Sequence, residues 1–179
     1  MKKIISMLLI LLVAGVLFAD PTPATAPSAA TFTVKTDVNG VAFMGVTKET
    51  FAATGVDPED YNAYENLDVS KSGEQDFTAY ITSFSNTPGG YKITMSATAM
   101  TNATNVAKIH YIVGADNGSN VVTFDTKNTQ TAVEVYNSGS LTAMTGHSYP
   151  LSLVVDEDSF DAATTGAYSG IVTFTYSAL

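Results

Sequence analysis

The chain has no cysteine and no tryptophan, and none of its eight basic residues is an arginine. Without cysteine there is no disulfide to staple the fold, no thiolate pair for zinc and no lipid-modified N-terminal cysteine. Without arginine there is no planar guanidinium fork to grip phosphate or carboxylate at two points. The eight lysines face 17 aspartates and glutamates, for a formal charge of −9. That balance argues against nucleic acid as a partner and against a polybasic membrane-surface role. At 45% hydrophobic residues the chain is too apolar for a disordered polymer, and its 179 residues suit one folded domain rather than two.

Lys2 and Lys3 precede a charge-free apolar run, Ile4 to Ala19, that is followed at once by Asp20, Pro21 and Pro23. This is the pattern of a secretory signal peptide over residues 1–19. The run is shorter than the roughly 20 residues a helix needs to cross a bilayer, so a retained membrane anchor is the weaker reading. Cleavage is expected after Ala19, in preference to Ala26, where Pro27 would follow the cut. It removes two lysines and no carboxylate, leaving a still more acidic exported chain. Residues 20–30 are alanine, proline and threonine apart from Asp20 and Ser28, an extended spacer with little to bury. The expected localisation is periplasmic, cell-surface or extracellular, with no retained membrane span.

Residues 31–179 are expected to form a single β-sandwich domain, because the apolar period there is two. Tyr91, Ile93, Met95 and Ala97 alternate with Lys92, Thr94, Ser96 and Thr98, which predicts a strand with one buried and one wet face. Val121 to Phe124, Thr131 to Tyr136 and Tyr149 to Val155 are shorter versions. Phe77 to Phe84 and Lys108 to Val113 are apolar on both faces and suit central strands. Asn39-Gly40 predicts a hairpin between Phe32 to Thr36 and Val41 to Val46, and Asn117-Gly118 one between Ile109 to Val113 and Val121 to Phe124. Pro88-Gly89-Gly90 and Ser138-Gly139 mark further breaks. Within Thr47 to Asp68, Asp57-Pro58-Glu59-Asp60 is expected to open one short helix containing Tyr61 and Tyr64. About nine strands without helical crossovers imply an all-β antiparallel sandwich, immunoglobulin-like or pilin-like. A small outer-membrane barrel is the alternative, but it needs strands of about 9 to 11 residues, longer than most of these.

The segment Asp161-Ala-Ala-Thr-Thr-Gly166-Ala-Tyr168-Ser-Gly-Ile-Val-Thr-Phe174-Thr-Tyr176-Ser-Ala-Leu179 resembles the closing strand of bacterial surface β-sandwich families. Chaperone–usher pilins and spore-coat-type subunits have a similar Gly-x-Tyr turn before alternating β-branched and aromatic residues. The cell-wall-binding WxL domains are similar too, with Phe174 where their tryptophan stands and Tyr176 where their leucine stands. The resemblance implies a surface or appendage β-sandwich. From the residues themselves, Tyr168 is either a core tyrosine or a tyrosine corner tied back to upstream backbone. The two-residue period puts Tyr168, Val172, Phe174 and Tyr176 on a buried face of a core strand, with Ser169, Thr173 and Thr175 outward. Ile171 and Leu179 break that pattern, as an edge cover or a contact to a neighbouring subunit would.

Chemistry has few candidates. His110, in an expected strand, and His147, in an expected loop, are the two imidazoles, and neither belongs to a metal or nucleophile motif. Asp156-Glu157-Asp158 with Asp161 offers oxygen ligands of the kind calcium takes, but the spacing departs from the EF-hand pattern and solvated loop charge is the expectation. Asn102-Ala-Thr104 and Asn117-Gly-Ser119 match a glycosylation pattern that is common in such loops by chance. No catalytic, cofactor-binding or metal residue is therefore assigned, and no enzymatic activity is expected. Two functions remain. One is an exported structural or adhesive surface protein, a fibre subunit that pairs strands with copies of itself or with other surface proteins. The alternative is a secreted glycan-binding module presenting Tyr61, Tyr64 and Tyr136 to sugar rings.

Overall fold

The structure is a computed structural model that describes residues 33–36, 38–52 and 57–179. The expected signal peptide, the spacer and Phe32 lie outside the described residues. Two units divide the chain, Met1–Asp37 and Val38–Leu179. In the first, residues 33–36 belong to no strand, and Val34 is 80% exposed.

The second unit is all-β and antiparallel, as the period-two patterning requires. Its strands among the described residues are β1 (Ala42–Thr47), β2 (Gly73–Glu74), β3 (Tyr80–Ser85), β4 (Tyr91–Ala97), β5 (Met100–Asn102), β6 (Asn105–Ile109), β7 (Tyr111–Asp116), β8 (Val121–Asp125), β9 (Val133–Asn137), β10 (Thr145–Val155) and β11 (Val172–Ala178). One sheet runs β1-β3-β10-β7-β8, with β2 beside the far end of β10, and the other runs β11-β4-β9. Strands β5 and β6 form a separate hairpin, bridged to the chain before β11 by Thr101 and Ser169. The Pro88-Gly89-Gly90 turn carries the chain from β3 in one sheet to β4 in the other. Among the described residues no helix is long and apolar enough to cross a membrane.

One core joins the two sheets. Tyr91, Ile93 and Met95 of β4 are fully buried, as their alternation predicts, and they pack with Ile81, Val113, Phe124, Val135, Tyr149 and Val155. The β4–β9 ladder slips between Ile93 and Thr94, leaving Val135 as the extra residue of a bulge, itself buried. Strand β10 is long because it serves three partners: β3 along Thr145–Pro150, then β2 and β7 on opposite edges. Leu151 donates its N–H to the Ala79 carbonyl on the β3 side. The N–H that Pro150 lacks would therefore point to the other edge, where pairing with β7 stops at Leu151.

The outer face of β3 is covered as well. Phe84 turns away from the sandwich and packs under Phe43, Phe51 and Tyr61, with ring centroids 5.0, 5.7 and 5.7 Å away. Beside it the Thr82 hydroxyl shares hydrogen bonds of 2.7 Å with those of Thr47 and Ser148, and Ser148 accepts from the Phe51 N–H at 2.6 Å. These bonds satisfy polar groups that would otherwise be costly to bury. Residues 81 to 85 are accordingly buried on both faces, as expected for a central strand.

Several expectations need correction. The Asn39-Gly40 hairpin does not form among the described residues: residues 33–36 belong to no strand, and Asn39 and Val41 are instead bonded to Asn86 at the end of β3. The Asn117-Gly118 hairpin does form, between β7 and β8, with Gly118 at φ +83°. The helix expected at Asp57 is a single 3-10 turn, Pro58–Asp60, capped by the Asp57 side chain. Tyr61 and Tyr64 lie beyond it, where the Asn62 carbonyl accepts from the Lys48 N–H and the Tyr64 N–H donates to the Val46 carbonyl of β1. A true helical turn, α1 (Glu157–Asp161), occupies the acidic run read as a loop, capped where Asp156 accepts from the Ser159 N–H. His147 is in β10 rather than a loop, and His110 falls in the break between β6 and β7.

Candidate functional site: a groove beside an open strand edge

Strand β11 keeps the expected parity. Val172, Phe174 and Tyr176 turn toward the core while Thr173 and Thr175 are exposed. The strand stands at the end of its sheet. Seven register pairs, Val172↔Ala97 through Ala178↔Tyr91, bind it to β4 on one edge, and among the described residues no strand occupies the other. Phe174 is only half-buried, whereas Met95 directly opposite it is fully buried.

Along that edge lies a groove of about 1200 Å³. Ile171, Val172 and Phe174 form one wall, and Val46, Val113, Leu151 and Leu153 come from the opposing sheet, with Ala79 just before β3. Its mouth is framed by residues 64–69, where Tyr64 packs on Phe77 at 5.8 Å, and by the loop after α1. The loop is held at several points. Lys127 Nζ donates to Asp156 Oδ2 at 2.6 Å, and the Ser159 hydroxyl accepts from the His110 N–H at 2.9 Å, so α1 is fastened over the β6–β7 break. The Tyr168 hydroxyl donates to the Thr164 carbonyl at 3.1 Å, the tie-back of a tyrosine corner. Ser169 and Thr101 exchange backbone hydrogen bonds of 2.9 and 3.0 Å. The lining is mostly aliphatic and aromatic, with Glu65 and Asp68 at the rim and neither histidine in it. Among the described residues, no histidine or lysine lines the groove beside those two carboxylates.

The other candidates are dispersed. The His110 ring bonds to the Thr126 carbonyl at 3.0 Å. His147 lies against Tyr136 at 4.8 Å and Tyr149 at 5.7 Å, and burial lowers its pKa. Asp156 is held down at about 2, first by the hydrogen bond from Lys127 and then by those from Ser159, so its carboxylate is already engaged. No group of three or more His, Cys, Asp or Glu side chains that could hold a metal occurs among the described residues. Tyr61 packs on Phe43 and Phe84, Tyr64 on Phe77, and Tyr136 on Tyr91, His147 and Tyr149, in three separate clusters rather than one exposed row. Asn102 and Asn117 use their side-chain oxygens to close their own turns.

Comparison with known proteins gives no match to a family model, to a curated protein or to a solved structure. The groove was invisible to sequence reasoning because residues as distant as Val46, Leu153 and Phe174 build it. The one signal at hand was Ile171, an apolar residue out of phase with its strand and 68% exposed.

Proposed function

We propose that this protein is an exported structural or adhesive surface protein, a fibre subunit that assembles by strand addition. The observation that supports this most directly is β11, a seven-residue strand with one edge unoccupied among the described residues, standing beside an apolar groove. An added strand satisfies the backbone groups of that edge and fills the groove with alternate side chains, so hydrogen bonding and burial act together. Export is supported by Lys2-Lys3 and the apolar run to Ala19. The absence of a catalytic motif in the sequence agrees with a structural role. Electron microscopy and fractionation of the native protein test the proposal: filaments containing this chain in the surface or extracellular fraction are expected. A protein that stays monomeric at high concentration and forms no filament in its own cells would refute it.

A further inference from the structure

Strand addition engages the backbone edge of β11 and leaves unexplained a polar group at the floor of the groove. We propose that this floor binds an uncharged lipid-like molecule, an elongated hydrocarbon whose one neutral oxygen group bonds to the Tyr111 hydroxyl. The inference goes beyond strand addition and does not rest on it.

Alternation along β7 puts Tyr111 and Val113 on its inner face, and both line the groove, with Leu153 of β10 directly opposite Val113. Tyr111 is 3% exposed. Its N–H donates to the Thr126 hydroxyl, and its carbonyl accepts from the Thr126 N–H and hydroxyl. The phenol oxygen, by contrast, has no hydrogen-bond partner among the described residues. Every polar side-chain atom among them that the fold seals from solvent does have one, so this oxygen keeps an opening, and the cavity its ring lines is the groove. A hydroxyl held in apolar surroundings without a partner costs free energy that a ligand oxygen can return. Burial pushes its pKa up to about 12, so at neutral pH it is an uncharged group that both donates and accepts.

The rest of the lining selects the ligand. Leu151, Leu153, Phe160, Val172 and Phe174 are each only half-buried, and a hydrocarbon chain laid against them would remove that apolar surface from water. The groove, at about 1200 Å³, exceeds the roughly 300 to 1,000 Å³ usual for compact ligands, which suits an elongated one. Glu65 and Asp68 are the charged side chains of the lining among the described residues, both exposed at the rim. A carboxylate or phosphate head would meet two like charges and no cation, and an ammonium brought to the floor would exchange its water for a single hydroxyl. The other polar side chains of the lining are exposed or half-buried, so the hydrogen bond offered at depth is that of Tyr111, and it suits a neutral oxygen.

The test titrates the full chain with the uncharged dye N-phenyl-1-naphthylamine and compares 1-octanol, octanoate and octane as competitors. Octanol should displace the dye, and octanoate should do so about tenfold more weakly or worse. Tyr111→Phe loses no hydrogen bond within the protein, so it should melt no lower than the parent while binding octanol about two- to tenfold more weakly and octane unchanged. Ala163→Trp, a substitution on the half-buried loop wall of the groove, should abolish binding of dye and octanol together. Folded monomer that binds neither dye nor octanol would overturn the inference and leave strand addition, which is judged by filaments, intact. Equal displacement by octanol and octanoate would also overturn it, as would octanol binding that Tyr111→Phe leaves unchanged. A lowered melt for Tyr111→Phe would show that the hydroxyl is already engaged in the protein, and octanol binding that survives in folded Ala163→Trp would move the site elsewhere; either result would sink the assignment.

Discussion

Phe174 and Met95 face each other in register, and truncating them separately reports whether the groove is open in the single subunit. Met95 is 0% exposed, so Met95→Ala removes buried methylenes and leaves an enclosed void, at a cost of about 2 to 5 kcal/mol. Phe174 is the larger side chain, but it is half-buried and borders space already open to solvent. Full burial of such a side chain is worth about 1.5 to 3 kcal/mol and no new enclosed cavity is created, so Phe174→Ala should cost about 1 to 1.5 kcal/mol in the monomer. In urea, with a slope of about 1 to 3 kcal/mol per molar, Met95→Ala should shift the midpoint by about 1 M or more and Phe174→Ala by well under 1 M. In assembled material the order should reverse, since a strand lying over Phe174 completes its burial. Measured on monomer at matched concentration, a Phe174→Ala penalty equal to that of Met95→Ala would mean that the groove is already filled, and the reasoning about β11 would fail with it.

Gly90 and Gly118 share a positive φ but differ in surroundings. A Cβ on Gly90 would collide with the Gly139 carbonyl oxygen, whereas one on Gly118 meets nothing. Gly118→Ala should therefore cost only the left-handed backbone penalty, about 1 to 2 kcal/mol, and Gly90→Ala should prevent recovery of folded protein, as circular dichroism would show. Ser83 and Tyr91 share a buried hydroxyl pair at 3.0 Å. Tyr91→Phe alone should cost about 1 to 3 kcal/mol by stranding Ser83, and adding Ser83→Ala should return part of that loss in a double-mutant cycle. Because burial holds the His147 pKa below its ordinary value of 6.5, the unfolded chain takes up the proton more readily than the folded one. Stability should be fully present above about pH 6.5 and fall as pH drops through the folded pKa. His147→Phe should flatten that slope in pH-dependent melts.

Where a feature depends on one stretch of chain, the sequence shows it well. The alternation of Tyr91 to Ala97 set both its strand and its buried face, Asn117-Gly118 placed a hairpin, and the parity of Val172 to Tyr176 held. The failures share a cause: local signals do not name partners. Asn39-Gly40 is a sound turn signal, but the Asn39 carbonyl and both backbone groups of Val41 are taken by Asn86 at the end of β3. Parity identifies a face, not a place in the sheet, so the period of Val172 to Tyr176 shows a core-facing side without showing that β11 stands at an edge. His147 lies between Gly146 and Pro150, which locally favour a loop, and a strand accepts that proline only where pairing on one edge stops. Glu157–Asp161 is too short to display a helical period, and the cap at Asp156 was hidden within a run of acids.

The sharing of β10 has a consequence for how the chain comes to fold. Strand β3 is paired on one edge by β1, close to it in sequence, but on the other by Thr145–Pro150, some sixty residues later. Until that stretch has been made, β3 has an open edge, and β7 lacks the neighbour that joins it to β3. Closing so long a loop before any pairing rewards it is the kind of topology that folds in milliseconds to seconds. The main sheet is therefore expected to close in the rate-limiting step, around a single strand. Substitutions in Thr145–Val155 should slow the arrival of the folded state where equally destabilising ones in the β5–β6 hairpin chiefly hasten its loss.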